Sequence, residues 1–427
     1  MGAMLLLTLL IAAQAQAALR PLDSIYPDLD ALYRDLHRSP ELSTREEKTS
    51  AKLAERLRRL GYEVLTNVGG YGVAGVLHNG PGHTLLLRTD MDALPVEEKT
   101  GLPYASHVTA PDPSGKVVPV MHACGHDLHM SAWIGAATLL AQAKDSWHGT
   151  LVMVGQPAEE TGAGARAMLA AGLFQKVPKP DFAVAIHDKA DLPSGKLGIV
   201  RGYALANVDS VDLTIYGKGG HGAWPQETID PIVIAARTVV ALQTIVGREN
   251  NPFDPAVITV GSFHGGTRYN IIPDDVHLQL TVRSYKPEVR ERLLKAIERI
   301  AKGEAAAAGA PKEPLMHLAE GTSATYNDPP LTDRLAGALG AQLGKEAIVE
   351  VPPVMGGEDF GEFGKAAGVP SVLIHVGAVE PGRFEKAKAS GEPLPPLHSS
   401  QFAPDRERTL RTAVSTLVIS GVELLGR

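Results

Sequence analysis

Three apolar runs constrain the chain more than any other feature: "HTLLLRTD" (83–90), "GTLVMVGQPAEE" (149–160) and "DFAVAIHD" (181–188). None alternates polar with apolar residues, so none reads as a strand with one wet face. Short continuous apolar runs are the pattern of strands buried on both faces. Burial on both faces requires helices above and below, and helical segments do alternate with these runs from about Leu29 to Gly202. The expected fold is α/β, a mixed and mostly parallel sheet flanked by helices. Each run is nearly free of charge until its carboxyl end, where Asp90 with Asp92, Glu159 with Glu160, and His187 stand. Open sheets of this kind collect ligands beyond the carboxyl ends of their strands, so these residues are the first candidates for a site. Thr44 and Glu47 are spaced as a capping box for the helix within "REEKTSAKLAERLRRL", and Gly61 is placed to end it.

Between about Asn207 and Gly321 the rhythm becomes strand, helix, strand, strand, helix, strand. The pieces are "VDLTIYG", "PIVIAARTVVALQTIVG", "AVITVGSF", "VHLQLTVRS", "PEVRERLLKAIERIAKG" and "EPLMHLAEG". That order is the ferredoxin-like α+β unit. Residues 205–322 therefore read as an insert in a domain made of 18–204 and 323–427. Val289, Leu293, Leu294, Ile297 and Ile300 fall near one helix face, which is ordinary amphipathic packing. Beyond the insert, "TYNDPPLTDRLAGALGAQLG" and "PSVLIHVG" resume the helix and buried-strand pattern, and Pro-rich stretches at 311–330 and 393–396 mark joints.

The opening residues differ from the rest. Met4–Ala13 is apolar and Ala15-Gln16-Ala17 follows, as in a secretory signal over residues 1–17, although no Lys or Arg precedes the run. The expectation is export to the periplasm or beyond after cleavage near Ala17. No later stretch reads as long enough to span a bilayer, so the mature chain is expected to have no membrane partner. A net charge of -7 leaves no basic footprint for nucleic acid. Cys124 is the single cysteine, which excludes an intramolecular disulfide. It lies in "MHACGHDLHM" (121–130) with His122, His126, Asp127 and His129. Thiolate and imidazole are preferred ligands of zinc-like ions, and Gly125 gives Cys124 and His126 the freedom to turn toward one centre. Glu159 and Glu160, adjacent at a strand end, point different ways. One can hold a cation while the other faces its water as general base.

Taken in order, "RTDMDALP", "MHACGHDLH", "GQPAEE", "GKGGHGAWP", "YNIIPD", "GGEDF" and "PLHSSQF" resemble the motif series of the metallopeptidases that include aminoacylase, carboxypeptidase G, hippurate hydrolase and plant auxin-conjugate hydrolases. The last two form the branch most resembled, and the motifs cover nearly the whole chain after residue 17. The resemblance implies two divalent ions held by Cys124, His126, Glu160, His187 and His398, with Glu159 as general base. Asp92 would stand behind the ligands, with Asp90 a candidate for the same place. The resemblance also implies that the insert is a lid through which a homodimer forms. His221 would stabilise an oxyanion and Asn270 would lie near the substrate. Arg268 is a further candidate, on chemical grounds, because a guanidinium grips a carboxylate bidentately. The donor set suits zinc, cobalt or nickel, and manganese in a mixed site. "GGEDF" either lines a pocket or shapes a loop, and His122 and His129 receive no ligand role.

One departure from the resembled branch follows His187. The chain continues "DKADLPSGK", with Asp188 and Lys189 where an apolar or aromatic residue is expected. The function expected is a metal-dependent amidohydrolase that splits N-acyl or N-aroyl amino acids into a carboxylic acid and an amino acid. The alternatives are a dipeptidase or carboxypeptidase on the same dinuclear site, and a non-catalytic exported binding protein. The partner in the first two cases is a small N-acyl amino acid or a peptide.

Overall fold

The computed structural model describes residues 2–426; the side chains of residues 2–10, within the expected leader, and of residue 320 lie outside the described set. The chain divides into two compact units, one of Met1–Ala204, Tyr326–Pro353 and Asp359–Arg427, the other of Leu205–Thr325 and Val354–Glu358.

The first unit is built on an eight-stranded sheet. Its middle is the parallel set Gly149–Gln156, Thr84–Asp90, Phe182–Pro193 and Ser371–Val379, in that spatial order. These are the apolar runs that the sequence marks as doubly buried, and every residue of Gly149–Gln156 and Ser371–Val379 is indeed buried. Val73–Asn79 joins one side antiparallel, and Leu197–Ile199 joins the other antiparallel before Ile348–Glu350 closes that edge. The helix His126–Gln142 is buried over almost its whole length. It shares one hydrophobic core with Leu29, Leu32 and Leu36 from the Leu22–Arg38 helix, and with Val414, Leu417 and Val418 from Arg406–Leu425. Its Trp133, fully buried, donates its indole N–H to the carbonyl of Leu87 at 3.0 Å, which ties helix to central strand. The helix Gly2–Leu19 also reaches this core through Ala15 and Ala18.

The capping box does not form. Thr44 takes a left-handed backbone, φ +67°, and the helix begins at Glu47. Glu41 meets its first N–H groups instead, accepting from Lys48 at 3.2 Å and Thr49 at 2.8 Å. Glu46 is drawn elsewhere: it accepts from Thr44 N–H at 3.0 Å and from Ala158 N–H, in the Glu159 loop, at 2.8 Å. The first N–H groups of the helix are thus met from outside the Thr44–Glu47 pair. Gly61 does end the helix, with φ +83°.

The second unit has a four-stranded antiparallel sheet in the order Ala256–Gly265, Asp275–Ser284, Asn207–Tyr216, Leu315–Thr322. With helices Pro231–Thr244 and Pro287–Ala307 it is the ferredoxin-like unit that the rhythm implies. Val354–Glu358 joins it from far along the chain, because Gly356 O accepts from Ala206 N–H at 2.9 Å and Met355 O accepts from Arg283 at 2.7 Å. One expectation is corrected here. The helical run Pro231–Glu249 is long and apolar enough to cross a bilayer by length and composition. One face of it, with Ile234, Ala235, Leu242 and Ile245, packs into the unit's own core, while Val233 and Val240 are exposed.

Trp133→Ala removes both a full indole's burial and the bond to Leu87. It is expected to destabilise the first unit by about 3–5 kcal/mol, measured as a lower urea midpoint.

Candidate metal centre

The residues named at the strand ends converge in the first unit. Gly125 makes this possible. It precedes the first turn of His126–Gln142 with φ +76°, and a Cβ there would lie 2.1 Å from Asp188 Oδ2. Only glycine fits both the conformation and the space. The turn sends Cys124 and His126 to the same side. His398, in a loop at φ +65°, donates its backbone N–H to Ala123 O at 2.8 Å and so brings its ring to the Cys124 thiol.

His398 Nε2 lies 3.3 Å from Cys124 Sγ and 3.4 Å from Glu160 Oε2. His187 Nε2 lies 3.6 Å from Cys124 Sγ. His126 Nε2 stands 3.8 Å from Glu160 Oε1, 3.9 Å from Glu159 Oε2 and 3.8 Å from Asp90 Oδ2. Donors sharing a tetrahedral ion with bonds of about 2.0–2.3 Å sit roughly 3.3–3.8 Å apart. The spacings therefore suit cation coordination. Cys124, Glu160 and His398 form one group able to hold an ion, and His126, Glu159 and Glu160 form another.

Orphaned atoms point the same way. His126 Nε2 and Glu160 Oε1 are buried with no hydrogen-bond partner. His126 directs its other nitrogen to the Asp92 carbonyl at 2.9 Å, which fixes the tautomer that presents Nε2 to a metal. Asp92, fully buried, accepts from Ser43 Oγ at 2.6 Å and from Glu160 N–H at 3.0 Å, so it braces both the histidine and the glutamate. Burial, followed by the Glu160 charge, pushes the Cys124 thiol well above its usual range. Burial also pushes Glu160 up to about 7, with His126 opposing and Asp92 adding to the shift. Burial works against protonation of His126, but Asp90 and Asp92 outweigh it and its pKa is raised. A divalent ion would reverse this pattern, holding thiolate, carboxylate and neutral imidazole. The residues present therefore fit a metal centre.

Behind the donors stands a buried network whose arginine, Arg88, carried no signal in the sequence. Asp90 is held from behind, accepting from Arg88 Nη1 at 2.8 Å and from His129 Nδ1 at 2.8 Å. Arg88 is itself buried and reaches Gln156 at 2.8 Å and Asp359 at 3.3 Å. Asp359 also accepts from Gln156 at 2.6 Å and Ala165 N–H at 3.0 Å, so the aspartate of "GGEDF" shapes a loop. His129 accepts the Asp188 N–H at 2.9 Å on Nε2, which leaves neither ring nitrogen for an ion. His122 is buried with both nitrogens unpaired, and burial lowers it to about 4.

The remaining candidates lie in the second unit. His221 pairs with Ile271 across two short strands, Gly222 N–H donates to Asn270 O at 2.9 Å, and the His221 ring packs 4.5 Å from that of Trp224. His221, Arg268 and Asn270 are all exposed.

This architecture, with imidazoles, carboxylates and a thiol gathered beyond parallel strands, defines a metal-binding α/β protein of the metallopeptidase class. A family model described as Peptidase family M20/M25/M40 matches residues 86–390, and the chain belongs to that family. It is 38% identical to thermostable carboxypeptidase 2 of Saccharolobus solfataricus over 88% of this chain and 90% of that one. It is 37% identical to N-acetyl-L-cysteine deacetylase of Bacillus subtilis, over 80% of this chain and 79% of the relative. Among solved structures, a dinuclear metal-binding M20 peptidase of Bacillus subtilis superposes with a TM-score of 0.76 at 30% identity, covering 94% of this chain and 99% of that one. The chain is thus an enzyme acting on amides, which removes the non-catalytic binding protein as an alternative.

Behind the centre, His37 Nδ1 meets Asp127 Oδ2 at 2.7 Å and Nε2 meets Glu98 Oε1 at 3.1 Å, anchoring the start of the helix that bears His126. Burial opposes its charge, but the two carboxylates raise His37 to about 10. A folded-state pKa above the unfolded one gives stability that is fully present below about pH 6.5 and is lost as pH rises through about 10. His37→Gln should therefore destabilise by about 3–5 kcal/mol at pH 6, with the gap to wild type closing toward pH 10. Urea melts across that range provide the check, and a pH-independent gap would refute the ion-paired state.

Proposed function

We propose that the enzyme hydrolyses the amide of N-acyl or N-aroyl amino acids, releasing a carboxylic acid and an amino acid. The observation that carries this reading is the Glu159 carboxylate, 8% exposed, set 3.9 Å from the unpartnered His126 Nε2 beside the donor cluster. Two divalent ions, of zinc, manganese, cobalt or nickel, held by Cys124, His126, Glu160, His187 and His398, would polarise the amide carbonyl and lower the pKa of a water. Glu159 takes the proton from that water and returns it to the departing amine nitrogen. By the family resemblance, His221 would donate to the developing oxyanion and Asn270 would lie near the substrate, with Arg268 the candidate to hold a free carboxylate. Similarity to an N-acyl amino acid deacetylase supports this substrate class. Similarity to a carboxypeptidase favours a second reading, a peptidase on the same site. Comparing turnover of N-acetyl and N-benzoyl amino acids with that of dipeptides decides between them.

Glu159→Gln keeps shape and removes the base. It is expected to retain bound metal while turnover falls about 100- to 10,000-fold. Near-normal turnover with both ions retained would overturn the assignment. Cys124→Ser, by contrast, should lose metal on dialysis, because a hydroxyl replaces thiolate poorly.

Export with removal of residues 1–17 remains our proposal for location. It requires Ala15 to leave the core in which it is buried.

The proposed assembly is a homodimer through the second unit. Strand Ala256–Gly265 is an edge of its sheet, and helix Pro231–Thr244 exposes Val233 and Val240 by 55% and 72%. An open edge beside an apolar helix face is a surface that a second copy can extend. If His221 serves the partner's site, His221→Ala and Glu159→Gln chains, each nearly inactive, should regain part of wild-type activity when mixed and reassociated. No recovery after confirmed subunit exchange would exclude a role for His221 in the partner's site.

A further inference from the structure

Ala158 opens the turn that carries Glu159, and its backbone is left-handed, with φ +51°. Such a conformation is unfavourable for a residue with a Cβ, and alanine has no polar side chain with which to stabilise it locally. It persists only where neighbouring contacts impose it. The Ala158 carbonyl is met from within the turn, accepting from Thr161 Oγ1 at 3.1 Å and from Gly164 N–H at 3.2 Å. A Cβ at Gly164 would lie 1.6 Å from Pro157 O, so the turn closes tightly on itself. Those bonds shape the turn without fixing where it points.

Two backbone N–H groups tie the turn to distant parts of the chain, and they stand on either side of Glu159. Glu160 N–H donates to Asp92 Oδ2 at 3.0 Å, and Ala158 N–H donates to Glu46 Oε1 at 2.8 Å. Glu46 is fully buried at the start of the Glu47–Arg59 helix, where its own carbonyl accepts from Ser50 N–H at 2.8 Å. Its Oε1 also accepts from Thr44 N–H at 3.0 Å, and Thr44 is left-handed too, with φ +67°. One carboxylate oxygen thus clamps two backbones that would each favour another conformation. Oε2 is buried without a hydrogen-bond partner, and burial, with the Asp92 charge adding to it, raises the acid to about 7. Oε1 accepts both N–H bonds whether or not Oε2 carries a proton, so the clamp does not depend on that charge.

We propose that Glu46 is a positioning residue for the Glu159 carboxylate. By holding the Ala158 N–H it keeps residue 158 left-handed, and the backbone direction at 158 sets where the next side chain points. Glu160 has its own tie to Asp92, so loss of the Glu46 clamp misdirects Glu159 while the neighbouring candidate ligand stays in place. The inference rests on the reading of Glu159 as general base and adds what aims that base.

The test uses the full metal-bound chain as wild type, Glu46→Gln, Glu46→Asp, Glu159→Gln and the double variant Glu46→Asp with Glu159→Gln, assayed on an N-acetyl amino acid and a dipeptide. Gln keeps the reach of the acceptor oxygen without the charge; Asp keeps the charge and loses the reach. Glu46→Gln should hold kcat within about threefold of wild type, since an amide oxygen accepts as a carboxylate oxygen does. Glu46→Asp should lower kcat about 10- to 100-fold, the scale on which a misplacement of about 1 Å acts, with KM little changed and bound metal retained. In the Glu159→Gln background the same Asp change should lower residual turnover by less than about twofold, because a group that acts through Glu159 has nothing left to act on. Undiminished kcat in Glu46→Asp, an equal drop in Glu46→Gln, or metal lost together with turnover would overturn the proposal. So would an equal drop with and without Glu159, which would mark Glu46 as a general packing residue. The isosteric Gln variant is decisive if Asp does not fold, since a loss of about tenfold or more in kcat there refutes the clamp. Full turnover by Glu159→Gln would instead refute the base reading itself.

Discussion

The first unit is organised around a concentration of acid groups where water is scarce. Asp90, Asp92 and the Cys124 thiol are buried, and Glu160 nearly so, within a few ångströms of His126 and its neighbours. Such a cluster is tolerable only if each charge has a donor or a cation. Most of the surrounding structure supplies these. Arg88 and His129 hold Asp90, Ser43 and the Glu160 amide hold Asp92, and the backbone of Asp92 holds His126. The groups left over, His126 Nε2 and Glu160 Oε1, belong to donor groups where an ion would provide the missing partner.

The same arrangement constrains the candidate ligands. Each candidate ligand sits on the end of a strand, on the first turn of a buried helix, or in a loop pinned by a backbone hydrogen bond. His398 is the most exposed of them, with its side chain 54% exposed, and it is held by the Ala123 carbonyl. Outer partners fix ring tautomers, and a fixed tautomer presents a lone pair in one direction only. The helix His126–Gln142 cannot slide, because Trp133 is bonded to the central strand and Asp127 to His37. Geometry of this kind is what the base proposed here, Glu159, needs, since proton transfer depends on reach before it depends on pKa.

Much of this could be read from residue order. Doubly buried strands, their charged ends and the ferredoxin-like insert each follow from a local period, and local periods survive folding. The Cys-x-His step and the paired glutamates were equally visible, because ligand chemistry depends on residue type. What escaped were contacts between residues far apart in the chain. Arg88 lies within an apolar run and gave no hint that it would meet Asp359, and His129 looked like a spare member of a histidine cluster. The capping box at Thr44 failed because the helix starts only at Glu47 and Glu41 meets its first N–H groups. Pro231–Glu249 shows the converse, since its length and apolarity suit a bilayer while its buried face belongs to a core.

Sequence alone therefore determined the elements, their order, the chemical class of the centre and the donors available to it. Those are set by side-chain chemistry and by patterns a few residues long. Tertiary structure decided which donors share a centre, which carboxylates are neutralised by neighbours, and which are left wanting a cation. Glu46 makes the distinction concrete. As a letter it was one acid of a helical run, and its meaning came from the N–H groups of Thr44 and Ala158, because a hydrogen bond depends on what folding brings within reach.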